Sequence, residues 1–213
     1  MFVEDVMHRE VVTVAPRATV AEAFGLMRER GIRHLPVVDG GRLVGIVSDR
    51  DLKRAMPPAA AATPAPPLAS LRVEELMTRK VITTAPAVSV EEAGRVMVSE
   101  KISALPVTES DRLVGMVTET DVVALLVRAL GASEPSSRLQ VDFAPGGSAL
   151  ADIVRTVEEA GVRIASIVTL ATGPGSREGI LRVASMDPRR AVSALEAKGY
   201  TVRRPAACAN IRP

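Results

Sequence analysis

The sequence predicts a mixed α/β protein of the α+β kind: a module of strand, helix, hairpin and helix present twice, then a smaller βαββαβ unit. Three observations predict it. Residues of the first part return at an offset of 70 without insertion: Met7 as Met77, Pro16 as Pro86, Ile32 as Ile102, Leu35-Pro36-Val37 as Leu105-Pro106-Val107, Leu43-Val44-Gly45 as Leu113-Val114-Gly115, and Asp51 as Asp121. Within each copy the apolar spacing switches between helical and strand periods. After about Ser133 the order of elements changes. A two-copy repeat describes a paired module rather than a solenoid, which needs three or more units to close its core. Function is therefore sought between the two halves.

In the first copy, Val11 to Val14 is a strand candidate. Thr19 and Glu22 form a Thr-x-x-Glu capping box, and Val20, Ala23, Phe24 and Met27 then share one helical face, with Gly31 as the stop. Ile32 to Val38, the turn at Asp39-Gly40-Gly41 and Leu43 to Val47 predict a hairpin. The second copy repeats this with Val81 to Thr84, a Ser89-x-x-Glu92 box, Val90, Ala93 and Met97 on one face, and a hairpin turning near Ser110. Met7, Met27, Met77 and Met97 sit at repeat-equivalent places, which favours core packing over a redox role. The Ala- and Pro-rich stretch from Arg54 to Ser70 has no hydrophobic period and reads as a linker.

The third part starts with a strand at Leu139 to Phe143 and a helix carrying Leu150, Ile153, Val154 and Val157 on one face, stopped by Gly161. Val162 to Leu170 and Ile180 to Ala184 flank the turn at Gly173-Pro174-Gly175. Asp187 as N-cap with Pro188 at the first helical position opens a last helix ending at Gly199, and Tyr200 to Arg203 closes the unit. The order βαββαβ is a ferredoxin-like pattern. The expected domains are residues 1–56, 71–130 and 137–205, with a linker at 57–70.

Composition narrows the function classes. Twenty-seven basic against 25 acidic residues leave a net charge of +2, so no strong field favours nucleic acid or an anionic membrane. Cys208 is the only cysteine, which excludes an internal disulfide and suits a reducing compartment. The start MFVEDVMHRE has no apolar run of a signal peptide, and no stretch approaches a membrane span, so the cytoplasm is the expected location. His8 lacks metal-site spacing, and neither a metal nor a resident cofactor is expected.

The chemistry concentrates at the end of each hairpin. Gly45-Ile46-Val47-Ser48-Asp49-Arg50-Asp51 matches Gly115-Met116-Val117-Thr118-Glu119-Thr120-Asp121, placing a hydroxyl and a carboxylate three residues apart where a strand enters a helix. Such a pair serves as a capping box. It also serves a nucleotide, because a helix N-terminus offers N–H groups to a phosphate and a carboxylate accepts hydrogen bonds from ribose hydroxyls.

These endings, the upstream apolar-Pro-Val strands and the early Val-x-Thr strand, all occurring twice, resemble a tandem pair of CBS domains over roughly residues 1 to 130. The resemblance implies a pseudo-twofold pair binding AMP, ADP, ATP or S-adenosylmethionine in clefts between the repeats. It implies that Asp51 and Asp121 hold the ribose, that Ser48 and Thr118 lie near the phosphate, that Thr13 and Thr83 border the adenine, and that the strands with Pro36 and Pro106 belong to the same sites. The first copy adds Arg33, His34 and Arg50, all able to meet a phosphate, where the second has Ser103, Ala104 and Thr120. The Asp51 site is therefore the favoured one.

The last part is similar to an ACT domain in its element order and in the turn from Asp142 through Pro145, Gly146 and Gly147 into a helix. In that family the turn, packed on a partner subunit, often binds an amino acid. Two CBS copies followed by an ACT-like unit resemble the AcuB-type proteins in architecture. The combination implies a regulatory, non-enzymatic ligand sensor acting through a homodimer or a partner enzyme. Two alternatives stand beside it: an amino-acid sensor with a purely structural CBS pair, and an enzyme acting on a nucleotide or acyl substrate. The enzyme has no Gly-x-x-x-x-Gly-Lys-Ser/Thr or Gly-x-Ser-x-Gly motif in its favour. A direct nucleic-acid role lacks a helix-turn-helix signature and a basic stripe.

Overall fold

A computed structural model describes residues 1–55, 70–132, 135–143, 147–173 and 175–203. The chain divides into two compact units, Met1–Val123 and the part from Ala124 onward.

In the first unit the hairpins form as the alternation requires: β1 (His34–Asp39) pairs antiparallel with β2 (Arg42–Ser48), and β3 (Ala104–Glu109) with β4 (Arg112–Thr118). Both turns need two residues at positive φ, supplied by Gly40 and Gly41 in one copy and by Ser110 and Asp111 in the other. The two hairpins join into one sheet of order β1-β2-β4-β3 through Arg42 opposite Arg112. Arg42 donates to Asp111 at 3.1 Å, which offsets the meeting of two like charges.

The expected strands at Val11 to Val14 and Val81 to Thr84 shrink to single parallel bridges, Val14 with Val37 and Thr84 with Val107. The cause is proline. Extending either ladder backward by one pair requires a backbone donor at Pro36 or Pro106, and proline has none.

Helix α1 (Val20–Arg30) begins with the complete Thr19–Glu22 capping box and stops at Gly31 in the left-handed conformation. Helix α2 is Asp49–Arg54, and a short α3 spans Val73–Leu76. In α4 (Val90–Glu100) the box is only half formed: Ser89 accepts from the Glu92 N–H, but the Glu92 carboxylate turns to Arg95. Helix α5 is Glu119–Ala129.

The cores do not follow the copies as the sequence orders them. Val3 and Met7 pack with Ala93, Met97, Leu105, Val107 and Val117 of the second copy, while Val73 and Met77 pack with Val20, Met27, Leu35, Val47 and Leu52 of the first. The start of each copy has crossed into the other. Backbone bonds repeat the exchange at the same offset: Val3 N–H to Val88 O and Val73 N–H to Ala18 O, Glu4 to Pro86 and Glu74 to Pro16, His8 to Met116 and Thr78 to Ile46. Each crossed valine or methionine contributes about 1.5–3 kcal/mol by burial. All four repeat-equivalent methionines are buried, as their placement predicts.

Two glycines make room for the crossing. A Cβ on Gly45 would collide with Met77 Sδ, and one on Gly115 would stand 2.5 Å from Met7 Sδ and 3.2 Å from the His8 carbonyl oxygen.

In the second unit, β5 (Ser137–Phe143), α6 (Gly147–Glu159), β6 (Ile164–Gly173), β7 (Ser176–Val183), α7 (Arg189–Ala197) and β8 (Thr201–Arg203) realise the βαββαβ order. All pairings are antiparallel, in the sheet order β6-β7-β5-β8. Leu139, Val141 and Phe143 alternate into a core closed by Ile153 and Val157 of α6 and by Val192 and Leu195 of α7. Helix α7 starts later than expected, with Pro188 rather than Asp187 at the N-cap position. The Asp187 carboxylate instead accepts from the Arg189 N–H at 3.1 Å and pairs with the Arg189 guanidinium, which holds its carboxyl down at about 2.

The crossing yields a test. Gly45→Ala is expected to cost about 1–3 kcal/mol in chemical denaturation, the range for overpacking. The cost should shrink in a Met77→Ala background, where the obstructing side chain is gone.

Candidate functional site

Two clefts open in the first unit, and each draws its walls from both copies. The larger, about 520 Å³, is lined by Ser48, Asp49, Arg50 and Asp51 at the β2–α2 junction, by Thr78 to Ile82 apart from Arg79, and by Lys101 to Ala104. The smaller, about 340 Å³, is lined by Thr118, Thr120 and Asp121, by His8, Glu10, Val11 and Val12, and by Gly31 and Ile32. Arg33, His34 and Ser103 border both.

The β2–α2 junction positions Asp51 through the capping box. Ser48 donates to Asp51 Oδ2 from its N–H at 2.9 Å and from its hydroxyl at 2.6 Å, and the Asp51 N–H donates back to Ser48 Oγ at 3.3 Å. Asp51 Oδ1 has no hydrogen-bond partner among the described residues. Thr118 and Asp121 repeat the geometry at 2.8, 2.7 and 3.4 Å. The capping function is therefore present, and in the first copy it leaves one oxygen of a cleft-lining carboxylate unengaged. In the second copy that oxygen is engaged, because His8 Nε2 lies 3.0 Å from Asp121 Oδ1. The equivalent of His8 is Thr78.

Where the clefts meet, His34 Nε2 and Ser103 Oγ are 3.3 Å apart. Burial, assisted by the Arg33 charge, pushes the His34 imidazole below its ordinary value of 6.5, against the upward pull of Asp49, Asp51 and Glu119. It is neutral at neutral pH and adds no positive charge to either cleft. Asp49 is held below the usual carboxylate range by its 2.9 Å bond from Lys53.

The sequence-predicted residues divide by position. Arg33, His34, Ser48, Arg50, Asp51, Ser103 and Ala104 line the larger cleft, and Arg33, His34, Ser103, Thr118, Thr120 and Asp121 the smaller. Ala104, expected with the second copy's site, lines only the Asp51 cleft of the two, because Lys101 to Ala104 lies across from the β2–α2 junction, while Ser103 lines both. Thr13 and Thr83 are exposed, and Pro36 and Pro106 are buried in their strands; none of the four lines a cleft. In the second unit Asp142 sits on β5, paired with Arg203 at 2.8 Å, and Gly147 opens α6; Pro145 and Gly146, like Cys208, lie outside the described residues.

Sequence reasoning missed Lys80 and Lys101 in the larger cleft and His8 and Glu10 in the smaller. The offset contained the signal: Lys80 stands where the first copy has Glu10, and Lys101 where it has Gly31. The larger cleft thus carries Arg33, Arg50, Lys80 and Lys101 against Asp49, Asp51 and Glu119. The smaller carries Arg33 against Glu10 and Asp121.

The family model for the CBS domain matches residues 3–58 and 73–128. An inosine-5'-monophosphate dehydrogenase of Korarchaeum cryptofilum is 39% identical over 142 residues, covering 66% of this chain and 28% of that enzyme. The chain thus spans about a quarter of the length of that curated relative. Among solved structures, the CBS domain pair of protein MJ0100 in complex with 5'-methylthioadenosine and S-adenosylmethionine is 30% identical, with a TM-score of 0.52 over 63% of this chain and 98% of that one. A putative acetoin utilization protein (AcuB) of Vibrio cholerae is 34% identical, with a TM-score of 0.53 over 62% of this chain and 95% of that one. No helix among the described residues is long and apolar enough to cross a membrane.

The depressed His34 value sets a pH dependence. An unfolded chain takes up the His34 proton before the folded one does, so this contribution to stability is complete above about pH 6.5 and is lost as pH falls from there through the lower folded value. Denaturation at about pH 7.5 and 5.5 should show a smaller loss in His34→Gln than in the unsubstituted protein.

Proposed function

The chain belongs to the CBS-domain family, and on that premise we propose that it is a regulatory sensor binding an adenine nucleotide in the Asp51 cleft. The observation that carries the reading is the composition of that cleft: a carboxylate with one unengaged oxygen, fixed by its capping box, among four cationic side chains contributed by both copies. Asp51 suits a ribose diol, and Arg33, Arg50, Lys80 and Lys101 suit a phosphate, Arg by its bidentate fork and Lys as a point charge. That the similar MJ0100 pair was solved with two adenosyl ligands supports the adenosyl class.

Because residues 78–82 and 48–51 belong to different copies, a ligand between them bears on how the copies pack. The signal requires unequal affinity for two packings, since equal affinity shifts nothing. The role is regulatory rather than catalytic and cytoplasmic, with output to a homodimer contact or a partner enzyme. The second unit is an ACT-like domain in this reading, supported by its βαββαβ order and its β6-β7-β5-β8 sheet. A homodimer is supported by exposed Leu126 and Val127 on α5 and by the edge strand β6, which carries exposed Leu170.

Calorimetric titration of AMP and ATP tests the ligand. Asp51→Ala is expected to weaken binding about ten- to hundredfold, the range for hydrogen bonds to a charged group. No heat with either nucleotide would overturn the reading. Light scattering tests the assembly: Leu170→Glu is expected to shift dimer toward monomer.

A further inference from the structure

The two clefts have the same frame and opposite charge, and from this we propose that they take different ligand classes: a phosphorylated nucleoside in the Asp51 cleft, and a phosphate-free, uncharged or cationic adenosyl compound in the Asp121 cleft. The inference rests on the proposed nucleotide reading for the adenosyl part of its ligands. The division itself comes from the lining residues.

Position by position, the frame is conserved between clefts while its charge is exchanged. Lys80 in the larger cleft answers to Glu10 in the smaller, Lys101 to Gly31, and Arg50 to Thr120. Arg33 is the one permanent cation lining the smaller cleft among the described residues, and it also borders the larger. A phosphate bound beside Asp51 draws on that guanidinium and leaves Glu10 and Asp121 facing the smaller cleft. A second phosphate there would meet two carboxylates with little to offset them, and like charges set together act as selection against the wrong ligand.

The ribose subsite differs as well. Asp121 Oδ2 is filled by Thr118, and Oδ1 lies against His8, whereas Asp51 Oδ1 has no such partner among the described residues, the equivalent of His8 being Thr78. The His8 side chain is 67% exposed and can swing away, so a ribose diol reaches Asp121 by displacing it.

Calorimetry with AMP and with 5'-methylthioadenosine, on the full chain and three variants, tests it. The unsubstituted protein is expected to bind one AMP per chain, weakened about ten- to hundredfold in Asp51→Ala and kept in Asp121→Ala. Methylthioadenosine binding is expected to survive Asp51→Ala and to fall about tenfold or more in Asp121→Ala. Glu10→Lys, an exposed substitution that leaves both capping boxes intact, should raise the AMP stoichiometry from one to two. Two equal AMP sites in the unsubstituted chain would overturn the division while leaving the nucleotide reading in place, as would methylthioadenosine binding that follows Asp51. Methylthioadenosine bound through Asp121 with neither AMP nor ATP bound anywhere would support the phosphate-free cleft and overturn the nucleotide reading instead.

Discussion

The crossing of the chain starts is the constraint on which the rest of the first unit depends. Met7 reaches the second copy's core and Met77 the first copy's, and each lies against a glycine with no room for a side-chain carbon. Neither copy closes a core without a segment of the other. Short backbone pairings, His8 with Met116 and Thr78 with Ile46, then fix the crossed segment beside the foreign hairpin to within a hydrogen bond. What looks in sequence like two modules in tandem is in packing one object, and cooperative unfolding of the pair is the physical consequence.

The clefts follow from this geometry. Once residues 8 and 78 are anchored to the opposite hairpin, the residues after them, 10–12 and 80–82, have to run past the opposite hairpin's capping box. A site so made is built by exchange, so the charge of a cleft belongs to neither copy. The Asp51 cleft owes its lysines to the second copy, whose own hairpin end is poor in cations. The duplication supplies the frame, and divergence at a few crossed positions supplies the difference in charge.

This explains which parts were legible in the sequence. Local features were: the hairpins, the helix faces, the Thr19 cap and the Gly31 stop depend on neighbours within a few residues, and each stands where its pattern put it. The failures trace to contacts that local patterns do not encode. Val11 to Val14 has the composition of a strand, but its ladder depends on a donor that Pro36, twenty-odd residues away, lacks. The Glu92 half of a capping box yields to Arg95 once both side chains share a helix face. Ala104 lines the Asp51 cleft rather than its own copy's, and Lys80 and Glu10 carry no local signal, for one reason: a pattern within a copy does not show which residues the fold brings across from the other.

The shared wall gives the proposed sensor its means of coupling. His34 and Ser103 border both clefts and face each other at 3.3 Å, so no ligand can alter the spacing of one cleft at that point without altering the other. His34 is neutral there, held so by burial and by Arg33, and the wall therefore carries no charge that a phosphate could seize; Arg33 beside it does. A phosphate in the Asp51 cleft that recruits Arg33 makes the Asp121 cleft more negative. That disfavours a second anion there and favours a cation. Linkage then requires the reverse effect to have the same magnitude, so occupancy of the smaller cleft by a cationic adenosyl compound must strengthen phosphate binding in the larger by an equal factor. One guanidinium between two clefts is enough to couple the sites positively, so that the pair responds most strongly when both ligands are present together.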